Sequence, residues 1–306
     1  MSNKILVTDS LFIFDEHVEQ LKAEGYAVER LDKPNASEEE LAQAIKGKIG
    51  YILGGIERIT PGVIEAANEL KAISFTGSDY KEFIPGWKLA KEKGIAITNT
   101  PGANSSAVSE FALSVALAMQ RNLFELGRTG NKKFQTTQSF VEAKVGIIGA
   151  GHIGRKIINL TQAFKPKQIL YTSNSEKSIE ATFVELEELL QESDIIFLAV
   201  PGSAGEILNK DRLNSIKKNA LLVSISPLST IDTETLFDRL QTGTLRAAID
   251  WPAPSDKFKD LPLYVWFNTN DHTAYNTIEA NRLASDMAVK SLLNVLNNGE
   301  DKHRVI

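Results

Sequence analysis

The sequence predicts an α/β protein made of two doubly wound parallel sheets, one unit inserted into the other. Short apolar strands alternate with amphipathic helical segments along the chain, the pattern of strands joined by helical crossovers. The alternation is interrupted by a long apolar helix at 104–121 and resumes at Lys144. A second long amphipathic helix, at 277–296, follows the last strand and provides the return path. A chain of 306 residues is also too long for one ordinary core and long enough for two.

In order, residues 4–8 are a strand, 17–24 a helix and 27–31 a strand. Ser37 caps a helix running to residue 46, because Ser37-Glu38-Glu39-Glu40 fits a capping box. Residues 51–53 are a short buried strand ending in Gly54-Gly55. Thr60-Pro61 opens a helix to about residue 70, since proline in the first turn forfeits no helical bond. Strands follow at 71–75 and 95–98. Helix 104–121 carries Val108, Phe111, Ala112, Val115 and Met119 at helical spacing, and 127–137 is polar and loop-like. The second unit has strands at 144–148, 168–172, 194–200, 220–224, 247–250 and 263–268. Helices near 155–160, 183–190, 210–216 and 233–242 join them. The last helix, 277–296, turns Leu283, Met287, Leu292 and Leu293 inward.

Composition excludes several classes of function. There is no cysteine, so disulfides and thiolate chemistry are ruled out. Four scattered histidines argue against a metal centre. The net charge of −5 argues against a nucleic-acid backbone as partner. No apolar run reaches the length of a membrane span, and the first residues read directly as a strand rather than a signal peptide. The expectation is a cytoplasmic protein with a small-molecule partner. His17 and His303 read as surface residues.

The strongest motif is Gly149-Ala150-Gly151-His152-Ile153-Gly154, directly after an apolar strand and opening a helix. In that context Gly-x-Gly-x-x-Gly binds a dinucleotide. Gly149 makes the tight turn, Gly151 admits the pyrophosphate, and Gly154 lets helix pack on strand. The amides at His152 and Ile153, at the helix start, face the anion. An NAD site usually places an acid at the end of the next strand for the ribose 2′-hydroxyl. Here Thr172, Ser173, Asn174 and Lys177 stand there instead, groups that can hold a 2′-phosphate. NADP(H) is favoured over NAD(H).

Taken together, these residues resemble the D-isomer-specific 2-hydroxyacid dehydrogenase family over essentially the whole chain. The likeness lies in the glycine turn, in the stretch from Lys93 through Asn99-Thr100-Pro101-Gly102 to Glu110, in the strand ending Val200-Pro201, and in His272-Thr-Ala-Tyr-Asn276. The resemblance implies two Rossmann-like domains, with the cofactor domain (104–275) inserted into the substrate domain (1–103 and 276–306), and a homodimer. It implies His272 as proton donor, with Val200, Pro201, Ser226 and Asp250 beside the cofactor. Gly77 and Ser78 fall in the loop that holds the substrate carboxylate, and Tyr80, Trp251 and Tyr275 add aromatic surface on the substrate side.

Two family positions depart from the pattern. Pro227 stands where an arginine would clamp the substrate carboxylate, and Ser255 where a glutamate would tune the histidine; Asp256 lies next to it. Three functions stay open. One is a reductase acting on a carbonyl or imine of a non-standard substrate. Another is a conventional 2-oxo acid reductase with a relocated cation, for which Arg282 and Lys81 are candidates. The third is a dinucleotide-binding regulator without turnover.

Overall fold

The computed structural model describes residues 3–8, 13–33, 35–130, 136–251, 253–259, 261, 264–266 and 274–306. The chain forms two compact units, Met1–Asn104 with Ile278–Ile306, and Ser105–Thr277.

The first unit holds a parallel sheet of β1 (Lys4–Thr8), β2 (Ala27–Leu31), β3 (Gly50–Leu53), β4 (Ala72–Phe75) and β5 (Ala96–Thr98), in the order β2-β1-β3-β4-β5. β3, β4 and β5 are buried throughout, as expected for parallel strands covered on both faces. The crossovers are α1 (Asp15–Ala23), α2 (Glu38–Ala44), α3 (Pro61–Ala66), α4 (Tyr80–Phe83) and α5 (Trp87–Glu92). The capping box forms as expected: the Glu40 amide donates to Ser37 Oγ at 3.3 Å, and the Ser37 amide to Glu40 Oε2 at 2.9 Å. α3 stops four residues before the expected end. Ala67 leaves helical geometry at ψ 86°, and the Asn68 side chain accepts from the Gly47 amide at 3.0 Å instead of continuing the turn.

The second unit holds β6 (Lys144–Ile148), β7 (Gln168–Thr172), β8 (Thr182–Phe183), β9 (Ile195–Leu198), β10 (Leu221–Ser224), β11 (Arg246–Ile249) and β12 (Tyr264–Trp266). All are parallel, in the order β12-β11-β10-β9-β6-β7-β8. Its helices are α6 (Ser105–Gln120), α7 (Leu123–Thr129), α8 (His152–Gln162), α9 (Leu186–Glu192), α10 (Lys210–Ser215) and α11 (Thr233–Gln241). Ala112, Ala116, Ile157 and Ile158 of α6 and α8 share one core with Val145, Ile147 and Phe197 of the sheet. Leu189, Leu213, Leu236 and Leu240 of α9, α10 and α11 build the other. The strand order reverses between β6 and β9, which is where doubly wound sheets bind ligands.

The final helix, α12 (Ile278–Asn298), belongs to the first unit. Leu283, expected inward, is 47% exposed. Leu292 and Leu293 are buried as expected, and Ala284, Ser285, Ala288 and Val289 complete the buried face. These small residues bring the helix close enough for Ser74 Oγ of β4 to donate to the Ala288 carbonyl at 2.9 Å. His17 also departs from expectation. It is 2% exposed, and its Nε2 lies 2.9 Å from Asp286 Oδ1 on α12. Residues 127–129 belong to α7, which starts after Asn122 in the left-handed region at φ 55°. The expected helix at 183–190 begins as β8, because the Phe183 ring packs on Tyr171 of β7 at 5.4 Å, and α9 starts only at Leu186. Among the described residues no helix is long and apolar enough to cross a membrane.

Candidate functional site

The site lies at the carboxyl edge of the second sheet, over the β6/β9 switch point. The Gly149 amide donates to the Thr172 carbonyl at 2.9 Å, tying the turn after β6 to the end of β7. Gly149 has φ +100°, and a Cβ there would press on the Ala199 carbonyl. Gly154 sits on the inner face of α8, where a Cβ would collide with the Gly149 carbonyl. Gly151 is different: a Cβ there would meet nothing within 4 Å. The space over the turn is open, and it faces the first amides of an 11-residue helix.

This opening belongs to a cavity of about 840 Å3. Gly149, Gly151 and His152 line it on the β6 side, Thr172, Ser173, Asn174 and Lys177 at the end of β7, and Val200 and Pro201 after β9. Among the described residues, no aspartate or glutamate lines it. The loop after β7 is tied internally. Ser173 Oγ donates to the Ser175 carbonyl and Lys177 Nζ to Ser175 Oγ, both at 2.6 Å. The open cradle, the helix amides and the acid-free rim fit a dinucleotide, whose diphosphate Gly149, Gly151 and His152 would hold.

Other sequence-expected residues stand elsewhere. Ile153 packs against the core under α8, and neither it nor Gly154 lines the cavity. Ser226 is buried behind the cavity: its Oγ accepts from the Val200 amide at 2.8 Å and donates to the Leu198 carbonyl at 3.1 Å. It thereby fixes the loop after β9. Asp250 follows β11, its amide donating to the Ser224 carbonyl at 2.8 Å. Trp251 packs against the core that α9, α10 and α11 build on the sheet, and Tyr275 is half-buried just before α12. His272 lies outside the described residues.

In the first unit, Gly77 and Ser78 follow β4, and their carbonyls accept from the Thr100 amide (3.0 Å) and Asn99 Nδ2 (2.7 Å). Tyr80 stands edge-on to Trp87 with ring centroids 6.4 Å apart, and the Lys81 ammonium lies 5.2 Å from the Trp87 centroid. Burial, reinforced by Asp79, pushes the Tyr80 phenol up. The candidate replacement groups have partners. Arg282 pairs with Glu16 and stacks over Phe14. Asp256 has a side chain 90% exposed and pairs with Lys259 at 2.5 Å, which holds its carboxyl below the usual range. Pro227 opens a 3-10 turn at Leu228–Thr230.

The structure adds lining residues that sequence reasoning missed: Arg155, Leu186, Ser203, Ala204 and Ile207. The apolar pair Leu186 and Ile207 carries no motif. Arg155 had a signal, since it lies one helical turn beyond His152. Among the described residues no cluster of three or more metal-binding side chains occurs.

Comparison with known proteins agrees with this geometry. The NAD binding domain model of the D-isomer specific 2-hydroxyacid dehydrogenases matches residues 112–270. Glyoxylate reductase of Thermofilum pendens is 31% identical over 281 residues, covering 85% of this chain and 82% of the reductase. D-3-phosphoglycerate dehydrogenase of Methanocaldococcus jannaschii is 29% identical over 99% of this chain, which spans 59% of that protein's length. Among solved structures, a protein of Thermus thermophilus superposes with a TM-score of 0.88 at 26% identity, covering 99% of this chain and 100% of that one. D-2-hydroxyisocaproate dehydrogenase shares the fold at a TM-score of 0.83 and 23% identity, covering 99% of each chain. The chain belongs to the D-isomer specific 2-hydroxyacid dehydrogenase family and is a nicotinamide-dinucleotide-dependent oxidoreductase.

Proposed function

We propose that the protein is an NADPH-dependent reductase acting on a carbonyl or imine of a substrate other than a plain 2-oxo acid. The observation that carries the cofactor half is the cavity rim, which has Lys177, Ser173 and Asn174 at the end of β7 and, among the described residues, no carboxylate. A carboxylate there would pair with a 2′-hydroxyl and repel a 2′-phosphate, whereas an ammonium and hydroxyls attract one. Family-fold structures include one with NAD+ and one with NADPH, so the fold itself accommodates both.

The substrate half rests on Pro227, which offers no cation, and on Arg282 being paired with Glu16. Losing a charged clamp on a carboxylate costs several kcal/mol, on the order of 2–5 in comparable deletions. When bound, the dinucleotide supplies the hydride. His272 holds the proton for the substrate oxygen or nitrogen, the work of a group titrating near neutrality. Asp250 orients the nicotinamide amide.

A second reading, conventional 2-oxo acid reduction with a relocated cation, is favoured by the 31% identity to a glyoxylate reductase and by the exposed Lys81 three residues past Ser78. The test is NADPH oxidation at constant protein with 2-oxo acids, neutral ketones and imines. Turnover of neutral ketones or imines, abolished in His272→Ala, supports the first reading. Turnover confined to 2-oxo acids, with KM raised by Lys81→Ala, supports the second. Tight NADPH binding without turnover of any class overturns both and leaves a regulator.

A further inference from the structure

We propose that Arg155 is a specificity-determining residue that grips the 2′-phosphate of the cofactor from the wall opposite Lys177. The proposal rests on the NADP(H) reading above and assigns it a second cation.

The placement follows from the flanks of α8. Its buried face is Gly154, Ile157, Ile158 and Thr161. Lys156 and Arg155 fall on opposite flanks of that face at 100° per residue. Lys156 Nζ donates to Ser106 Oγ at 2.6 Å, which marks its flank as the one toward α6. Gln162 lies seven residues after Arg155, two turns along the same flank. Its Nε2 donates to the Glu180 carbonyl at 2.9 Å. That flank therefore faces the connection from β7 to β8, and Arg155 lies at the end of it where this connection begins with Ser173, Asn174 and Lys177.

Arg155 is held at one point. Its Nε donates to the Ala150 carbonyl at 3.1 Å, and its two terminal nitrogens have no hydrogen-bond or carboxylate partner among the described residues. A planar fork anchored at its root and free at its tips is suited to a phosphate. Lys177 is fixed as well: its amide donates to the Tyr171 hydroxyl at 2.7 Å, and that hydroxyl donates to the Lys177 carbonyl at 2.9 Å. Two positioned cations in a cavity that no acid lines among the described residues match a phosphate monoester, which carries about −1.5 to −2 charge at neutral pH. The diphosphate needs neither, because it meets the amides of the turn on the other side of Gly151.

The test titrates the full chain with 2′,5′-ADP and 5′-AMP, probes that differ only in the 2′-phosphate. Wild type binds 2′,5′-ADP at least tenfold more tightly. In Arg155→Gln that ratio falls about tenfold or more, the worth of a charge-assisted bond, while 5′-AMP affinity stays within about twofold. Arg155→Lys recovers part of the ratio. An equal loss for both probes places Arg155 on the 5′-phosphate and overturns the proposal, as does an unchanged ratio. A wild-type protein that does not distinguish the probes overturns the NADP(H) reading itself, and this is seen before any substitution is made. Arg155 is exposed, so the variants keep the wild-type melting temperature. If Arg155→Gln does not fold, the drop from arginine to lysine in Arg155→Lys makes the same test.

Discussion

Two glycines three residues apart separate the two demands on the dinucleotide turn. In Gly154→Ala the new Cβ would lie 2.9 Å from the Gly149 carbonyl carbon, with the carbonyl oxygen nearer still, where ordinary contact begins at 3.4 Å. The carbonyl carbon alone requires helix and turn to part by 3.4 − 2.9 = 0.5 Å, and the nearer oxygen requires more. Neither neighbour is a flexible side chain, so backbone has to move. Overpacking of this kind costs about 1–3 kcal/mol, which lowers the melting temperature of a unit this size by roughly 3–10 °C. The displaced amides also weaken NADPH binding, by about a hundredfold if they end 1 Å away. Gly151→Ala meets nothing within 4 Å and sits at φ −76°, an ordinary value. Its stability stays within about 1 kcal/mol of wild type, because lost chain entropy in the unfolded state offsets a poorer helix cap. Its Cβ nevertheless occupies the cradle, so NADPH affinity falls by at least tenfold. Thermal unfolding and fluorescence titration on both variants decide the matter. A Gly151→Ala protein that binds NADPH normally, or a Gly154→Ala protein as stable as wild type, refutes this account of the turn.

Three further outcomes are expected. Ser173→Asp places an acid at the end of β7, so NADPH affinity drops by about a hundredfold and NADH binding improves, measured by paired titrations. Arg239 is 8% exposed and donates to the carbonyls of Leu213, Ile216 and Thr244; Arg239→Met keeps the stem but orphans these acceptors and costs about 3 kcal/mol or more in urea unfolding. The amide of Thr235 donates to Asp232 Oδ1 at 2.8 Å at the start of α11 and holds that carboxyl below the ordinary 3.8. A depressed acid stabilises the fold above its unfolded pKa and loses that contribution as pH falls through the folded value. The stability difference between wild type and Asp232→Asn is therefore present at pH 7, shrinks once the pH falls below the ordinary 3.8, and is gone below the lowered folded value.

The fold was legible wherever burial is continuous along the chain. β6 and β7 are uninterrupted apolar runs bounded by polar residues, and both begin and end as the sequence reading has them. The rim residues Thr172, Ser173, Asn174 and Lys177 were legible because they follow directly on a strand end. α4 and α5, of 4 and 6 residues, are too short to show a period. His17 was misplaced because its partner is 269 residues away. Leu283 was misplaced because hydrophobicity alone does not reveal that alanine and serine, not leucine, permit the close approach to β4. Arg155 was missed because an arginine on the outer side of a helix looks solvated until the neighbours of each flank are known.

The interleaving of the two units sets an order of events during synthesis. One face of the first sheet, with Ile5, Val7, Ile52 and Ala72, is covered by Ala288, Val289, Leu292 and Leu293 of α12. Those residues leave the ribosome only after the whole of Ser105–Thr277 has been made. At about 5–20 residues per second the interval is roughly 10–35 s. The dinucleotide unit, contiguous in sequence, can complete its core in that time and load its cofactor. The first unit meanwhile presents a bare apolar sheet face to water or to a chaperone, and becomes a finished domain only when its last helix arrives.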